Sequence, residues 1–310
     1  MTLDPAVAGG AAALSAAASW AISTVLFKGA IVRHGPRAMN AFRIAIALLL
    51  FWTATLMIDG DAALHALVTP EGRTLLLSGA LGLAVGDVFL FEALKRLGAQ
   101  PAIALNQLSP IWSAAFGFLL GSEQLGAREL GGIALVLGGV LLVIFGRAPT
   151  VHAVAPDARE KAAARRLRLT GTACGIASSL CNAAAGMMTH HAIRAVGDLP
   201  GSTLRMSGAA IGTLVATWAM GRGALDFAPL RQLPRMRKEL VAVFLATFLG
   251  IFLQQAAYAR LDASVALCLL STTPLFLLPM AVTFLHERYR LVAWIGTLLA
   301  TAGVPLLLFD

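Results

Sequence analysis

The sequence predicts an all-α membrane protein whose ten transmembrane helices form two inverted five-helix repeats. Three observations carry that prediction. Of the 310 residues, 58% are hydrophobic and only 13% are charged, with a mean hydropathy of +0.79, whereas soluble domains carry roughly 25% charged residues. The apolar residues gather into ten windows, each close to the roughly 20 residues that cross a hydrocarbon core as a helix. The chain also repeats itself: the stretch from Leu97 to Glu123 recurs 164 positions later, from Leu261 to Glu287, without a gap. Extended to Gly86–Phe145 against Gly250–Phe309, the match gives 15 identities in 60 positions. A chain this rich in Ala, Leu and Gly gives roughly 5 or 6 by chance, so the match is an internal repeat.

In order, the windows are 11–30, 38–58, 74–95, 99–120, 127–146, 169–192, 202–221, 239–260, 263–285 and 291–309. Nothing basic precedes the first window, and its counterpart at 169–192 lies in mid-chain. It therefore reads as a retained helix, not a signal peptide. The fourth and ninth windows carry Pro110 and Pro274 in mid-span, where each removes a backbone hydrogen bond. In a membrane such a break persists only if it is buried in protein or faces a cavity. The long polar connection at 147–168 separates a first repeat, 11–146, from a second, 169–310. Within it, Asp157 and Glu160 have capping-box spacing ahead of an Ala/Arg run, which predicts a short surface helix.

Five helices per repeat is an odd number, so the second repeat enters the membrane from the opposite side, as in many secondary transporters. Charge agrees. Loops on one side carry 19 Lys/Arg with their flanks, and the other side carries five: Arg73, Arg128, Arg194, Arg205 and Arg260. By the positive-inside rule the crowded side, including 147–168, is cytoplasmic and both termini lie outside. The net charge of +8 thus reflects topology, and without a basic helical face or interleaved aromatics no nucleic-acid partner is expected. Cys174, Cys181 and Cys268 sit in apolar spans without metal or redox spacing and read as packing residues. Gly82-xxx-Gly86 and Gly296-xxx-Ala300 allow close helix approach. No HExxH, GxSxG or phosphate loop is present, so neither an enzyme nor a cofactor is expected.

Each repeat has an arginine opening its second helix (Arg43, Arg205), a proline in its fourth (Pro110, Pro274) and a glutamate just after it (Glu123, Glu287). Two glycines lie seven apart in each fifth helix (Gly132/Gly139, Gly296/Gly303). As a set these resemble the EamA family of the drug/metabolite transporter superfamily, over nearly the whole chain. The resemblance implies a multi-pass carrier of the plasma (bacterial inner) membrane that exports a small metabolite, such as an amino acid or drug-like compound. The family's usual topology has both termini in the cytoplasm, opposite to the charge count. A nucleotide-sugar or organic-anion exchanger is the alternative within transport, and calls for several cavity cations where this chain offers Lys28, Arg43 and Arg205; a membrane-embedded enzyme is the more distant alternative outside it.

Candidate substrate-binding residues follow from helical spacing. Ser15, Ser19 and Ser23 form a stripe on the first helix beside Trp20, and Ser178, Asn182 and Thr189 form one on the sixth. Asn106, beside Gln107, shares a face with Pro110 on the fourth helix, and Thr247, Gln254 and Tyr258 share one on the eighth. Such groups either glue helices together or line a site. The binding set is Ser19, Trp20, Ser23, Asp87, Asn106, Gln107, Asn182, Gln254 and Tyr258, with Pro110 and Pro274 as helix breaks. Asp87 is the sharpest member, an intramembrane carboxylate with Ile251 at its repeat position. It reads as a proton-binding group or partner for a substrate amine, unless Lys28 or an arginine pairs with it. Glu92 precedes Lys95 and Arg96 at pairing distance. Arg43 and Arg205 are in reach of headgroups or substrate, and His190 and His191 read as interface residues ending the sixth helix.

Overall fold

The computed structural model describes residues 4–34, 36–97, 99–121, 123, 125–146, 158–219, 236–284 and 289–309. Asp157, Glu287 and the Lys28 side chain lie outside these. The described chain is helical throughout, apart from an isolated bridge at Tyr289. The first half contains α1 (Pro5–His34), α2 (Pro36–Ile58), α3 (Pro70–Leu97), α4a (Ala99–Asn106), α4b (Ser109–Leu119) and α5 (Ala127–Phe145). The second contains α6 (Ala158–Val196), α7 (Asp198–Ala219), α8 (Arg237–Arg260), α9a (Ala263–Leu270), α9b (Thr273–Phe284) and α10 (Leu291–Leu308). A one-turn helix, Ala62–Ala66, lies in the α2–α3 connection.

Among the described residues seven segments are long and apolar enough to cross a membrane: Pro5–Leu26, Pro70–Leu97, Pro101–Leu119, Ala127–Phe145, Arg237–Arg260, Ala263–Phe284 and Leu291–Leu308. In α2 the apolar stretch is shorter, Phe42–Ile58. Neither α6 nor α7 qualifies, and both carry polar groups on their buried faces, where these meet partners. Ser178, Ser179 and Thr189 on α6, and Ser202 and Thr203 on α7, are fully buried.

Several boundaries differ from those the sequence predicts. The expected linker helix is the start of α6, which runs unbroken for 39 residues. It continues past His190 and His191, so neither ends it. Arg43 and Arg205 do not open their helices: each is the eighth residue, because α2 and α7 begin earlier than the apolar windows. The helices containing the prolines are interrupted at Gln107–Leu108 and Ser271–Thr272, and each proline is the second residue of the resuming helix. There its missing N–H costs nothing, since the first-turn amides of a helix have no intrahelical partner.

Two π-helical segments were not legible in the sequence. Ala80–Gly86 lies within α3 and Phe244–Leu249 within α8, at the same point of the 164-residue repeat. A π turn misaligns the i→i−4 ladder and leaves a carbonyl available, and such bulges gather at functional sites. Here each is answered across the halves: the Trp20 indole of α1 donates to Ala246 O at 2.8 Å, and the Ser178 hydroxyl of α6 donates to Gly86 O at 2.9 Å.

Helices α5 and α10 lie along each other at the side of the bundle. A Cβ on Gly139 would sit 2.4 Å from Gly296 O, and one on Gly296 would sit 2.5 Å from Gly139 O. The seven-residue glycine spacing therefore forms one shared seam. The other helices surround the space between the two breaks, with α8 against α1 and with α3 against α6 and α7.

Candidate functional site

At the level of both breaks lies a cavity of about 220 Å³. Trp20 (α1), Arg43 (α2), Asp87 (α3), Asn106 (α4a), Asn182 (α6) and Arg205 (α7) line it, as do Gln254 and Tyr258 of α8 and Leu267 of α9a. Among the described residues each of the helices α1 to α10 contributes except α5, α9b and α10, and α5 and α10 spend their facing surfaces on each other.

The α4a–α4b break supplies Gln107, whose Nε2 donates to Ser271 O at 3.0 Å, the carbonyl at the α9a–α9b break. Gln107 and Ser271 occupy equivalent repeat positions, so the two breaks satisfy one another at the centre. Beside them, Asn182 Nδ2 donates to Asn106 Oδ1 at 3.0 Å, and Ser178 Oγ lies 3.2 Å from the same oxygen. These amides tie α6 to the broken helix and still present one edge to the cavity.

Charge enters from three side chains. Asp87 follows directly on the first π segment, and its Oδ2 lies 3.7 Å from Arg43 Nη2, a loose ion pair with both side chains partly exposed. Arg205 is only 2% exposed. Its Nη1 donates to Gln254 Oε1 at 3.2 Å and to Gln255 Oε1 at 2.9 Å, and the guanidinium lies 5.7 Å from the centre of the Tyr258 ring. Arg205 Nε and Thr247 Oγ1 are buried without a hydrogen-bond partner, and both residues line the cavity.

Of the candidates named from sequence, Trp20, Asp87, Asn106, Gln107, Asn182, Gln254 and Tyr258 line this one cavity. Ser19 and Ser23 are buried on α1 outside the lining, with the Ser23 hydroxyl donating to Ser19 O. Ser15 is exposed. Glu92 pairs with Arg96 at 2.9 Å. Buried His190 places Nδ1 2.9 Å from Tyr258 O, bracing α6 on α8. No cluster able to hold a metal occurs among the described residues. Sequence reasoning gave too little weight to Arg205, whose position looked terminal because the apolar window started late. The signal was present as an arginine within helical reach of two consecutive glutamines on a neighbouring span.

A larger hollow of about 720 Å³ lies between the end of α3, α4a, α5 and α6. Its walls are mainly leucine, proline and phenylalanine, and its Arg96 is already engaged by Glu92 and by Cys174 Sγ at 3.3 Å. The smaller central cavity has the convergent polar groups expected of a binding site.

Compared with known proteins, the chain matches no curated protein by sequence. A solved structure described only as a crystal structure of a protein superposes with a TM-score of 0.74 at 16% identity, covering 96% of this chain and 94% of its own. That likeness is one of fold. The model of the EamA-like transporter family matches twice, at 7–145 and 169–309, each match covering one set of helices around the cavity. The chain is a multi-pass membrane protein and belongs to the EamA-like transporter family.

Proposed function

We propose that the protein is a secondary-active or facilitative carrier that exports a small metabolite across the bacterial inner membrane by alternating access. In this reading all ten long helices cross the bilayer as two inverted repeats joined by the 147–168 linker. The observation that carries it is the central cavity, roofed by both helix breaks and lined from both halves. Broken helices meeting at mid-depth are how transporters expose backbone and amide groups to a solute inside a bilayer. No catalytic role is assigned to any residue.

A packing asymmetry supports the alternating part of the reading. Helix α7 lies backbone to backbone on α3, where a Cβ on Gly79 or Gly208 would fall 1.9 Å from Arg205 O or Leu76 O. In the other half Val243 stands at the repeat position of Gly79, and α2 meets α8 through side chains, with Phe51 and Phe248 ring centres 4.7 Å apart. The bundle is thus closed at α3–α7 and held less closely at α2–α8. Exchanging the two arrangements would move access from one side to the other.

Counterflow into liposomes containing the purified protein tests this. Labelled solute should accumulate against its gradient when unlabelled solute is inside, and no accumulation of any solute above protein-free liposomes would overturn the reading.

A further inference from the structure

Among the described residues Arg205 is a buried cation without an anion. Its bonded neighbours are the amides of Gln254 and Gln255 and the Tyr258 hydroxyl, and among the described residues it has no carboxylate partner. The carboxylate that lines the cavity, Asp87, is engaged by Arg43. Two arginines therefore stand against one aspartate around the same space. A charge removed from water is stable only when paired and fully hydrogen-bonded, and here both conditions are left open, because Nε also lacks a partner. Nη1 is taken up by Gln254 and Gln255 and the Tyr258 hydroxyl also meets the guanidinium, which leaves Nε, on the edge by which a guanidinium receives carboxylate oxygens, without a partner. Gly82 of the first π segment keeps that side clear: even its missing Cβ would lie 3.7 Å from Nη2. Unpartnered Thr247 Oγ1 offers a further hydroxyl to the same space.

Resting on the transporter reading above, we propose that Arg205 receives the carboxylate of the transported solute, so that the carrier takes small carboxylates and refuses cations. The cavity bounds the size. At about 220 Å³ it is below the roughly 300–1,000 Å³ of drug-sized sites, and one uncompensated cation matches a single carboxylate, not a diphosphate. An α-amino acid and a simple hydroxy or keto acid present the same group to Arg205. The neutral amides Asn106, Asn182 and Gln254 are then left for the rest of the solute.

Transport of labelled amino acids, hydroxy acids, keto acids, hexoses, choline and polyamines into liposomes containing the full chain tests the assignment. The solutes that accumulate should all bear a carboxylate, and the primary amide of the best one should fail to compete. Whether amino acids or the amine-free acids compete identifies the source of the carboxylate. In Arg205→Gln, uptake of that solute should fall about a hundredfold, the scale of losing one member of a charge-assisted pair, and Arg205→Lys should restore part of it. Accumulation of a solute without a carboxylate, or equal competition by the amide, overturns the assignment while leaving the transporter reading intact. Unchanged KM in a monodisperse Arg205→Gln protein also overturns it. If that variant does not fold, amide competition on the unmodified protein still decides.

Discussion

Glu123, just beyond the fourth helix of the first half, caps the fourth helix of the second: its Oε1 accepts the Ala263 N–H at 2.7 Å, and Ser264 Oγ donates to its Oε2 at 2.6 Å. The carboxylate is 4% exposed. A negative charge on free first-turn amides is favourable both as a cap and with the helix dipole, so this residue joins the halves and fixes where α9a begins.

Glu123→Ala is therefore expected to destabilise the fold by about 2 kcal/mol, the scale of a buried charge-assisted hydrogen bond. Glu123→Gln keeps an acceptor oxygen and should lose less. Thermal melting of the detergent-purified variants checks the order, and equal melting of all three proteins would remove the cap from the account.

The α5–α10 seam predicts opposite signs for neighbouring glycines. Gly139→Ala places a Cβ against Gly296 O and should force the helices apart, lowering the yield of folded protein. Gly138→Ala meets nothing within 4 Å and should stabilise α5 by up to about 1 kcal/mol through helix propensity. Size-exclusion profiles and melting of the two variants measure the contrast.

Asp87→Asn is expected to flatten the dependence of transport on pH while expression is retained. Among the described residues, the other titratable or charged side chains lining the cavity are Arg43 from α2, Arg205 from α7 and Tyr258 from α8. An aspartate is the natural group among these to exchange protons in the working range. Transport measured across a pH series checks it, and an unchanged profile would make Asp87 a structural partner of Arg43.

Pro110→Ala and Pro274→Ala should insert normally yet alter turnover. Each substitution restores an N–H and relaxes the steric restriction proline places on the preceding residue, so the interrupted helix gains freedom to heal across the break. Identical kinetics in both variants would show that Gln107 and Ser271 hold the breaks unaided.

The 147–168 connection is expected in the cytoplasm. Single cysteines placed there, in a chain with Cys174, Cys181 and Cys268 replaced, should resist an impermeant maleimide in intact cells and react in inverted vesicles. The reverse result would restore the topology usual in the family and place both termini inside.

The sequence by itself determined the helical class, the 164-residue repeat, the seven-residue glycine spacing and seven of the residues that line the cavity. These depend on local properties: apolar content over a span, spacing on a helical face and the expense of placing an amide or carboxylate in a membrane. Asp87, Asn106, Gln107, Asn182 and Gln254 stood out because polar groups in apolar windows are rare. Tertiary structure alone decided which polar groups share a site and which have partners. Ser23 and Asn182 look alike in sequence, yet one hydroxyl turns back to its own helix and the other side chain reaches across to Asn106. Likewise Arg43 and Arg205 occupy corresponding places, but among the described residues only Arg43 meets a carboxylate. The π segments were invisible for the same reason: a misplaced turn within a continuous apolar helix changes no composition, and the partners of its freed carbonyls, Trp20 and Ser178, come from the other half of the chain.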